Sequence, residues 1–393
     1  MTSADILVAA RDLAADVVAD RRDIHRHPEL KFQEHRTAAL VAERLERLGI
    51  EVTTGVGKTG VVGLLRGARP GKTVLLRADM DALPIEEQSD IEYRSENPGV
   101  MHACGHDGHT AMLLGVARLL GDLRSELPGC VKFMFQPGEE GGAGALRMIE
   151  QGLLDNPTVD AAFALHVDAL HYAGEVALRV GPTMAAVDDF TIQVRGKGGH
   201  AARPHLAVDP VVVAAYIVTA LQTIVSREVD PMDQAVVTVG SLVSGTTFNV
   251  IPDTATLKGT VRTYNLELRG HLERRIGELV AGVAAGMRAT AEVQYFPGYP
   301  PLMNHESGID LVREAVTELL GADAVVPKEQ VMGAEDFSYV LQRVPGAMFH
   351  LGVRDRSWPE PRPIHSSSFD MNEAALPVGV AAMAATALRF LGG

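Results

Sequence analysis

The chain has 393 residues, 46% of them hydrophobic and 22% charged, a composition typical of a globular protein with a sizeable core. Its 36 basic and 50 acidic residues give a net charge of −14, which argues against nucleic acid or an anionic membrane as partner. A local arginine can still bind an anionic substrate. The length leaves room for two domains.

The cysteine content and the N-terminus predict the compartment. Two cysteines, Cys104 and Cys130, are so few that a reducing environment is expected. Residues 1–6 carry a charge early and lack the apolar core of a signal peptide. The most apolar segment, 208–225, is interrupted by polar residues and is expected to be too short and too polar to span a bilayer. These patterns predict a cytoplasmic protein.

The first half of the chain has the pattern of an α/β domain. Residues 3–49 predict two helices, and from residue 51 short apolar strands alternate with helices. The predicted elements are a strand at 73–78, a helix at 110–123 and strands at 131–135 and 161–165. Polar candidate residues follow these strands, at the carboxyl ends where open α/β sheets place their active sites.

A second, smaller domain is predicted to be inserted into the first. From residue 189 the order is strand, helix, two strands, helix and strand: 190–194, 211–227, 235–243, 254–263, 266–287 and 291–296. This βαββαβ order is typical of a small α+β domain. A Pro- and Gly-rich stretch, 297–301, then leads back to α/β material. We therefore expect a larger α/β domain in two parts, 1–184 and 297–393, around an insert at 185–296.

The most distinctive motif is His102-Ala-Cys-Gly-His-Asp-Gly-His109. On an extended segment Cys104 and His106 would point the same way, with glycines allowing the backbone to bend between ligands. Further along, Glu139-Glu140 and His166 each end an apolar run, and His365 lies near the C-terminus. Thiolate, imidazole and carboxylate groups together fit a divalent-metal hydrolytic site.

Two pairs of carboxylates have more than one interpretation. Glu139 and Glu140 are adjacent, so one could bind metal while the other takes a proton from water; the alternative is a solvated acidic loop. Asp79 and Asp81 alternate at the end of a strand. Either could bind metal or hold a histidine ligand in its tautomer, and the alternative is an ordinary strand-end turn.

The insert contributes three further candidates. His200 follows a glycine-rich loop and could donate a hydrogen bond to a developing oxyanion, although a lone histidine is weak evidence. Asn249 and Arg262 offer an amide and a guanidinium, for which a carboxylate is the natural partner. Arg262 could equally be an ordinary surface arginine on a strand.

Together these blocks resemble the di-metal aminoacylase/carboxypeptidase G-type amidohydrolase superfamily, in the branch of hippurate hydrolases and indole-3-acetyl-amino-acid hydrolases. The matching blocks stand in the expected order over nearly the whole chain: 77–84, 104–109, 136–140, 198–205, 249–262, 332–338, and His365 with 369–370.

The resemblance implies a role for each candidate residue. Two divalent metal ions per subunit would be bound by five ligands: Cys104, His106, Glu140, His166 and His365. Glu139 would be the general base, and Asp81 would orient the metal site. His200, Asn249 and Arg262 would face the substrate. Asp79 stands where other branches have a histidine ligand, so whether Asp79 or Cys104 takes over that role stays open.

The resemblance also implies an activity and an assembly. It implies a metallopeptidase-like catalytic domain with a lid/dimerisation domain, and a homodimer in which His200 acts on the neighbouring subunit's substrate. The reaction would be hydrolysis of N-acyl L-amino acids that carry an aromatic acyl or acetyl group and a free carboxylate. The ligand types suit Zn²⁺ best, with Mn²⁺, Co²⁺ or Ni²⁺ as replacements.

Three alternatives remain at this point. Within the class, the chain could be a metallo-carboxypeptidase or dipeptidase that acts on short peptides. Cys104 could instead be a nucleophile activated by histidine without metal, or the protein could bind metal without catalysis. Glu139 is a base beside a predicted ligand, which argues against a protein that binds metal without catalysis. The variety of ligand types argues against Cys104 as a nucleophile that acts without metal.

Overall fold

The computed structural model describes residues 2–392. Within this range the chain forms eleven α-helices: α1 (Ser3–Asp12), α2 (Ala14–Arg26), α3 (His35–Arg47), α4 (His106–Asp122), α5 (Glu139–Gly142), α6 (Gly144–Glu150), α7 (Pro210–Thr223), α8 (Leu266–Gly286), α9 (Glu306–Leu320), α10 (Ser338–Leu341) and α11 (Leu376–Gly392).

The same residues form sixteen strands: β1 (Glu51–Val56), β2 (Gly60–Arg66), β3 (Arg69–Asp79), β4 (Pro128–Gln136), β5 (Ala161–Tyr172), β6 (Val176–Leu178), β7 (Gly181–Met184), β8 (Ala186–Arg195), β9 (Gly199–His200), β10 (Ala235–Ser244), β11 (Val250–Ile251), β12 (Thr254–Thr263), β13 (Thr290–Pro297), β14 (Leu302–Asn304), β15 (Val325–Pro327) and β16 (Gly346–Arg354).

The larger of two compact units comprises residues 2–181, 303–329 and 336–392. It is built on an eight-stranded sheet with the order β1-β2-β4-β3-β5-β16-β6-β15. The four central strands β4, β3, β5 and β16 run parallel. Because both faces of these strands are covered, they are nearly continuous apolar runs, as expected for a parallel sheet inside an α/β unit.

Two helices form the centre of the core of this unit. The residues of α4 from His106 to Ala117 are all buried, and those of α11 are buried over most of its length. Both helices pack against the central strands and against each other. The first residue of α4 therefore lies deep in the protein, and this positions the side chains around it.

The second unit comprises residues 182–302 and 330–335 and has its own core. Its four-stranded antiparallel sheet has the order β10-β12-β8-β13. Burial alternates along β8 because one face of the sheet packs against α7 and α8. The order of its main elements is the predicted βαββαβ, with β9 and β11 forming an additional short ladder.

Three local expectations are wrong. The N-terminal region has three helices rather than two, because the chain breaks at Leu13 between α1 and α2. Helix α4 begins at His106 rather than at residue 110. Strand β5 continues to Tyr172, so His166 lies within a strand and not after its end.

Two helices of the described chain are long and apolar enough to cross a bilayer by length and composition, at Pro210–Glu228 and Glu373–Gly392. The expectation that the first segment is too short and too polar is therefore wrong on those criteria. The second helix is 72% buried inside its own unit. The first is 33% buried and contributes Val213, Ile217 and Leu221 to the core of the smaller unit.

Candidate metal centre

The turn at residues 104–106 places two candidate ligands together. Gly105 adopts a left-handed conformation with φ of 80°, and a Cβ there would lie 2.5 Å from Val167 Cγ2. A side chain would therefore clash, and glycine is required. The predicted extended segment is wrong, because the chain turns at Gly105 and starts α4. The turn brings Cys104 Sγ, a ring nitrogen of His106 and a carboxylate oxygen of Glu140 within 4.8 Å of one another.

The carboxylate of Asp81 holds the backbone amides of the two adjacent glutamates. Its Oδ1 accepts a hydrogen bond from the amide of Glu139 (2.9 Å), and its Oδ2 accepts one from the amide of Glu140 (3.0 Å). All three residues lie in the larger unit, and both Asp81 and Glu139 are buried. Since one carboxylate holds both amides, the directions in which the two glutamate side chains leave the backbone are fixed relative to each other.

In His106 and His166 the Nε2 atom is the ring nitrogen available to a further partner. The Nδ1 atoms of His106 and His166 lie 2.8 and 2.7 Å from the carbonyl oxygens of Asp81 and Val167. A carbonyl can only accept, so Nδ1 carries the hydrogen in each ring and Nε2 is left for another partner. The Nε2 atom of His166 lies 3.5 Å from Cys104 Sγ.

His365 reaches the cluster from the C-terminal part of the chain. Its amide donates to the carbonyl of Ala103 (2.7 Å), and its Nε2 lies 3.1 Å from Glu140 Oε1. The residue has a φ of 60°, a left-handed conformation that costs a non-glycine residue about 1–3 kcal/mol. Such strain clusters at functional sites, and here it accompanies a side chain directed at Glu140.

The donor set fits divalent metal. Among the described residues, buried His106 Nε2 has no hydrogen-bond partner, and such orphans are rare. Hydrogen bonds to Cys104 and Glu140 raise the pKa of His365 to about 10. The cluster therefore has anionic character that a cation would neutralise, and its thiol, imidazoles and carboxylate are the ligand types that zinc prefers.

The environment of Cys104 bears on the nucleophile alternative. Burial raises the pKa of its thiol above the ordinary value. A reactive cysteine needs a lowered pKa in a partly exposed site, whereas Cys104 is 6% exposed. This geometry favours the metal-ligand interpretation over the thiol route.

Asp79 is engaged away from this cluster. Its Oδ2 lies 2.8 Å from Arg77 Nη1, and its Oδ1 lies 2.6 Å from His109 Nδ1. The Nε2 atom of His109 accepts a hydrogen bond from the amide of Val167 (2.9 Å), so the Nδ1–H donates to Asp79. Burial alone would raise the pKa of Asp79, but Arg77, His106 and His109 hold it well below its ordinary value.

A second group of possible ligands consists of Asp79, His106, His109 and His166, all buried and within 4.8 Å of one another. A metal bound there would compete with one hydrogen bond of His109 and with the ion pair between Asp79 and Arg77. Removing one partner of such a buried pair typically costs about 3–5 kcal/mol. The first group, where a metal would leave the hydrogen bonds of His109 and the Arg77–Asp79 ion pair intact, is therefore the better candidate.

Sequence reasoning missed the polar network behind the site. Arg77 donates to Gln136 Oε1 (2.8 Å), Gln136 donates to Asp336 Oδ1 (2.6 Å), and Asp336 Oδ2 accepts the amide of Ala145 (3.0 Å). This series of hydrogen bonds connects the ends of β3 and β4 to the segment after Glu140. A signal was available, because Arg77 and Gln136 are polar residues within otherwise apolar strands.

The remaining candidates lie in the smaller unit. His200 and Asn249 are exposed, and His200 pairs with Val250 in the β9–β11 ladder. Arg262 is half-buried on β12, where its Nη1 donates to Thr260 Oγ1 (2.7 Å) and burial lowers its pKa. The β9–β11 ladder adjoins the Thr254 end of β12, since β11 comes just before Thr254 in the chain. Arg262 lies next to the opposite end of β12.

Comparison with known proteins agrees with this arrangement. The model of the peptidase family M20/M25/M40 matches residues 75–389. Thermostable carboxypeptidase 1 of Saccharolobus solfataricus is 42% identical over 384 residues, 97% of this chain and 96% of that protein. N-acetyl-L-cysteine deacetylase of Bacillus subtilis is 41% identical over 93% of this chain and 85% of its own length. The IAA-amino acid hydrolase ILR1-like 4 of Arabidopsis thaliana is 40% identical over 95% of this chain and 86% of its own length.

A solved structure is similar over nearly the whole fold. A dinuclear metal binding peptidase of the M20 family from Bacillus subtilis superposes with a TM-score of 0.85 at 36% identity, covering 97% of this chain and 99% of its own. Both the family model and the aligned relatives cover the segments that carry the candidate ligands. The chain belongs to peptidase family M20/M25/M40, a family of hydrolases.

Proposed function

We propose that this protein is a metal-dependent amidohydrolase that cleaves the amide bond of N-acyl L-amino acids with a free carboxylate. The observation that carries the proposal is the pair Glu139-Glu140 held by Asp81 through both amides. Adjacent residues fixed in this way supply a metal ligand and a general base from one turn of chain. The names of the deacetylase and IAA-amino acid hydrolase relatives support this substrate class.

We further propose that two divalent ions are held by Cys104, His106, Glu140, His166 and His365. The solved dinuclear relative, the grouping of Cys104, His106 and Glu140, and the unpartnered Nε2 of His106 support this assignment. When bound, the metals supply Lewis acidity to the scissile carbonyl and to water. Zn²⁺ suits a donor set with a thiol, and Mn²⁺, Co²⁺ and Ni²⁺ are the alternatives to be compared.

The chain's own residues would supply proton transfer, stabilisation of the oxyanion and substrate binding. Glu139 takes a proton from the attacking water and returns it to the nitrogen of the leaving amine as the C–N bond breaks. His200 donates a hydrogen bond to the carbonyl oxygen as negative charge develops on it. Asn249 and Arg262 hold the substrate, Arg262 through the α-carboxylate.

The experiment that tests this proposal is a substrate panel with each metal. Acetyl, benzoyl and indole-3-acetyl derivatives of several L-amino acids should be hydrolysed, and free dipeptides should react much more slowly. The carboxypeptidase relative favours a second candidate, a metallo-carboxypeptidase acting on short peptides. Faster hydrolysis of dipeptides than of every N-acyl amino acid would establish that alternative instead.

Arg262 provides a prediction about substrate binding. Replacing it with alanine should raise KM for free acids by roughly 10-fold or more, because a charge-assisted hydrogen bond to the carboxylate is lost. The corresponding amides lack that carboxylate charge, so their KM should change little. The measurement is steady-state kinetics on matched acid and amide substrates. Equal increases for both would assign Arg262 a structural role.

The positions of these residues in the smaller unit support a homodimer with composite sites. At about 3.3 Å per residue, Thr254 and Arg262 are roughly 26 Å apart along β12. His200 follows the Thr254 end, so His200 and Arg262 of one chain are too far apart to contact a single N-acyl amino acid. We propose that residues 185–296 form a lid/dimerisation domain, between catalytic segments 1–184 and 297–393, through which His200 reaches the partner's site in a cytoplasmic dimer.

Mixing two inactive variants tests this arrangement. His200→Ala and Glu139→Gln subunits should regain roughly a quarter of wild-type activity after exchange, because half of randomly formed dimers are mixed and each has one complete site. Each variant exchanged with itself is the control. If exchange is demonstrated by mass-tagged subunits and activity does not return, His200 does not act across a dimer.

A further inference from the structure

Phe248 is an aromatic side chain with almost no protein around it. It is 96% exposed, the highest value among the large hydrophobic residues of the described chain. Exposing a phenyl ring costs about 1.5–3 kcal/mol relative to burying it. A single exposed hydrophobic residue is common on protein surfaces, so the position of Phe248 relative to the proposed substrate-facing residues decides its meaning.

The loop that carries Phe248 is anchored next to two residues proposed to face the substrate. It spans residues 245–249 between β10 and β11, and Asn249 directly follows the phenylalanine. The carbonyl of Asn249 accepts a hydrogen bond from the amide of Ala201 (3.1 Å), the residue after His200. The β9–β11 pairing of His200 with Val250 fixes the same end of the loop.

Two other exposed apolar residues lie in the segments that carry Asn249 and His200. Val250 is 52% exposed, and Leu206, in the turn that follows His200, is 57% exposed. The polar groups that Asn249 and His200 present are thus accompanied by exposed hydrocarbon. A substrate with one polar amide and one apolar acyl group matches this combination.

We propose that Phe248 is a specificity-determining residue that contacts the acyl group of the substrate and favours aromatic acyl groups over acetyl. This inference rests on the proposed function. The benzene ring of a benzoyl group, or an indole ring, can stack on or meet the edge of the phenyl ring, whereas an acetyl methyl covers little of it. Asn249 and His200 would then contact the polar part of the same substrate molecule.

The test compares N-benzoyl-L-alanine with N-acetyl-L-alanine in the intact enzyme loaded with one metal. Phe248→Ala should lower kcat/KM for the benzoyl substrate by about 10-fold relative to the acetyl substrate. Phe248→Leu, which keeps an apolar side chain without a ring, should give an intermediate ratio. Phe296→Ala is the matched control, because Phe296 is 54% exposed and pairs with Asp189 at the other end of the sheet.

In the proposed dimer the substrate near His200 is bound by the partner subunit, so the competing occupant of this surface is a protein side chain of that subunit rather than the substrate. If Phe248 belongs to a subunit interface, Phe248→Ala should lower the molar mass measured by light scattering and reduce both activities equally. That result, or an unchanged benzoyl-to-acetyl ratio, would overturn the inference. If the wild-type enzyme hydrolyses neither substrate while it cleaves dipeptides, the proposed function itself is wrong, which is a separate outcome.

Discussion

Replacing Glu139 by glutamine is expected to lower turnover by roughly 10²–10⁴-fold or more while the metal content stays at the wild-type level. Glutamine keeps the size and polarity of the side chain but cannot accept the proton from water. The backbone of residue 139 should stay in place, because Asp81 holds its amide and not its side chain. Metal content by mass spectrometry and steady-state kinetics on the same preparation make the measurement.

Glu140→Gln is the matched control for that variant. Its amide is held by the same carboxylate, but its Oε1 atom lies in the candidate metal cluster. It should therefore lose metal as well as activity, since a neutral amide is a much poorer ligand. Equal metal loss in the two variants, or full metal retention in both, would contradict this division of roles.

Exhaustive chelation is expected to abolish hydrolysis, and addition of a divalent metal should restore it. Without metal the scissile carbonyl and the attacking water lose their Lewis acid, so residual activity should be below about one per cent, on the order of the 10²–10⁴-fold contributions of single catalytic groups. Thermal unfolding should also shift to lower temperature on chelation, because metal bound to the native state stabilises it.

Alkylation separates this account from the cysteine-nucleophile alternative. Cys104 is buried, and coordination would protect it further, so the metal-loaded enzyme should resist iodoacetamide and keep its activity. The contrary pattern would be decisive: metal-free protein that still turns over substrate and is inactivated by alkylation. Cys130, the other free cysteine, provides a control through Cys130→Ser.

The parts of the fold that the sequence predicts are those with local signals. Continuous apolar runs identify β3 and β4, because strands covered on both faces need apolar side chains at every position. Alternation identifies β8 in the same way, since one of its faces packs on helices. Exact helix starts depended on single residues, and α4 begins four residues early because Gly105 in its left-handed conformation allows the turn.

The parts of the site that escaped prediction depend on long-range pairing. The motif around Cys104 and the Glu139-Glu140 pair were identifiable because their residue types are unusual at those positions. By contrast, nothing local shows that His109 bonds to Asp79 and to the amide of Val167. That network forms because parallel strands distant in sequence end side by side, as Asp79 and Gln136 do. For Asp79, its partners favour a positioning role over a ligand role, because it bonds to His109 and pairs with Arg77.

Anomalous X-ray scattering from crystals of the zinc-loaded protein tests the central claim most directly. The account predicts two peaks per chain, about 3.5–4 Å apart, with Cys104, His106, Glu140, His166 and His365 as their protein ligands. A matching data set from Glu139→Gln crystals should show the same two peaks. Density between Asp79 and His109 instead, or no metal beside Glu140, would contradict the assignment of the metal centre on which the proposed reaction depends.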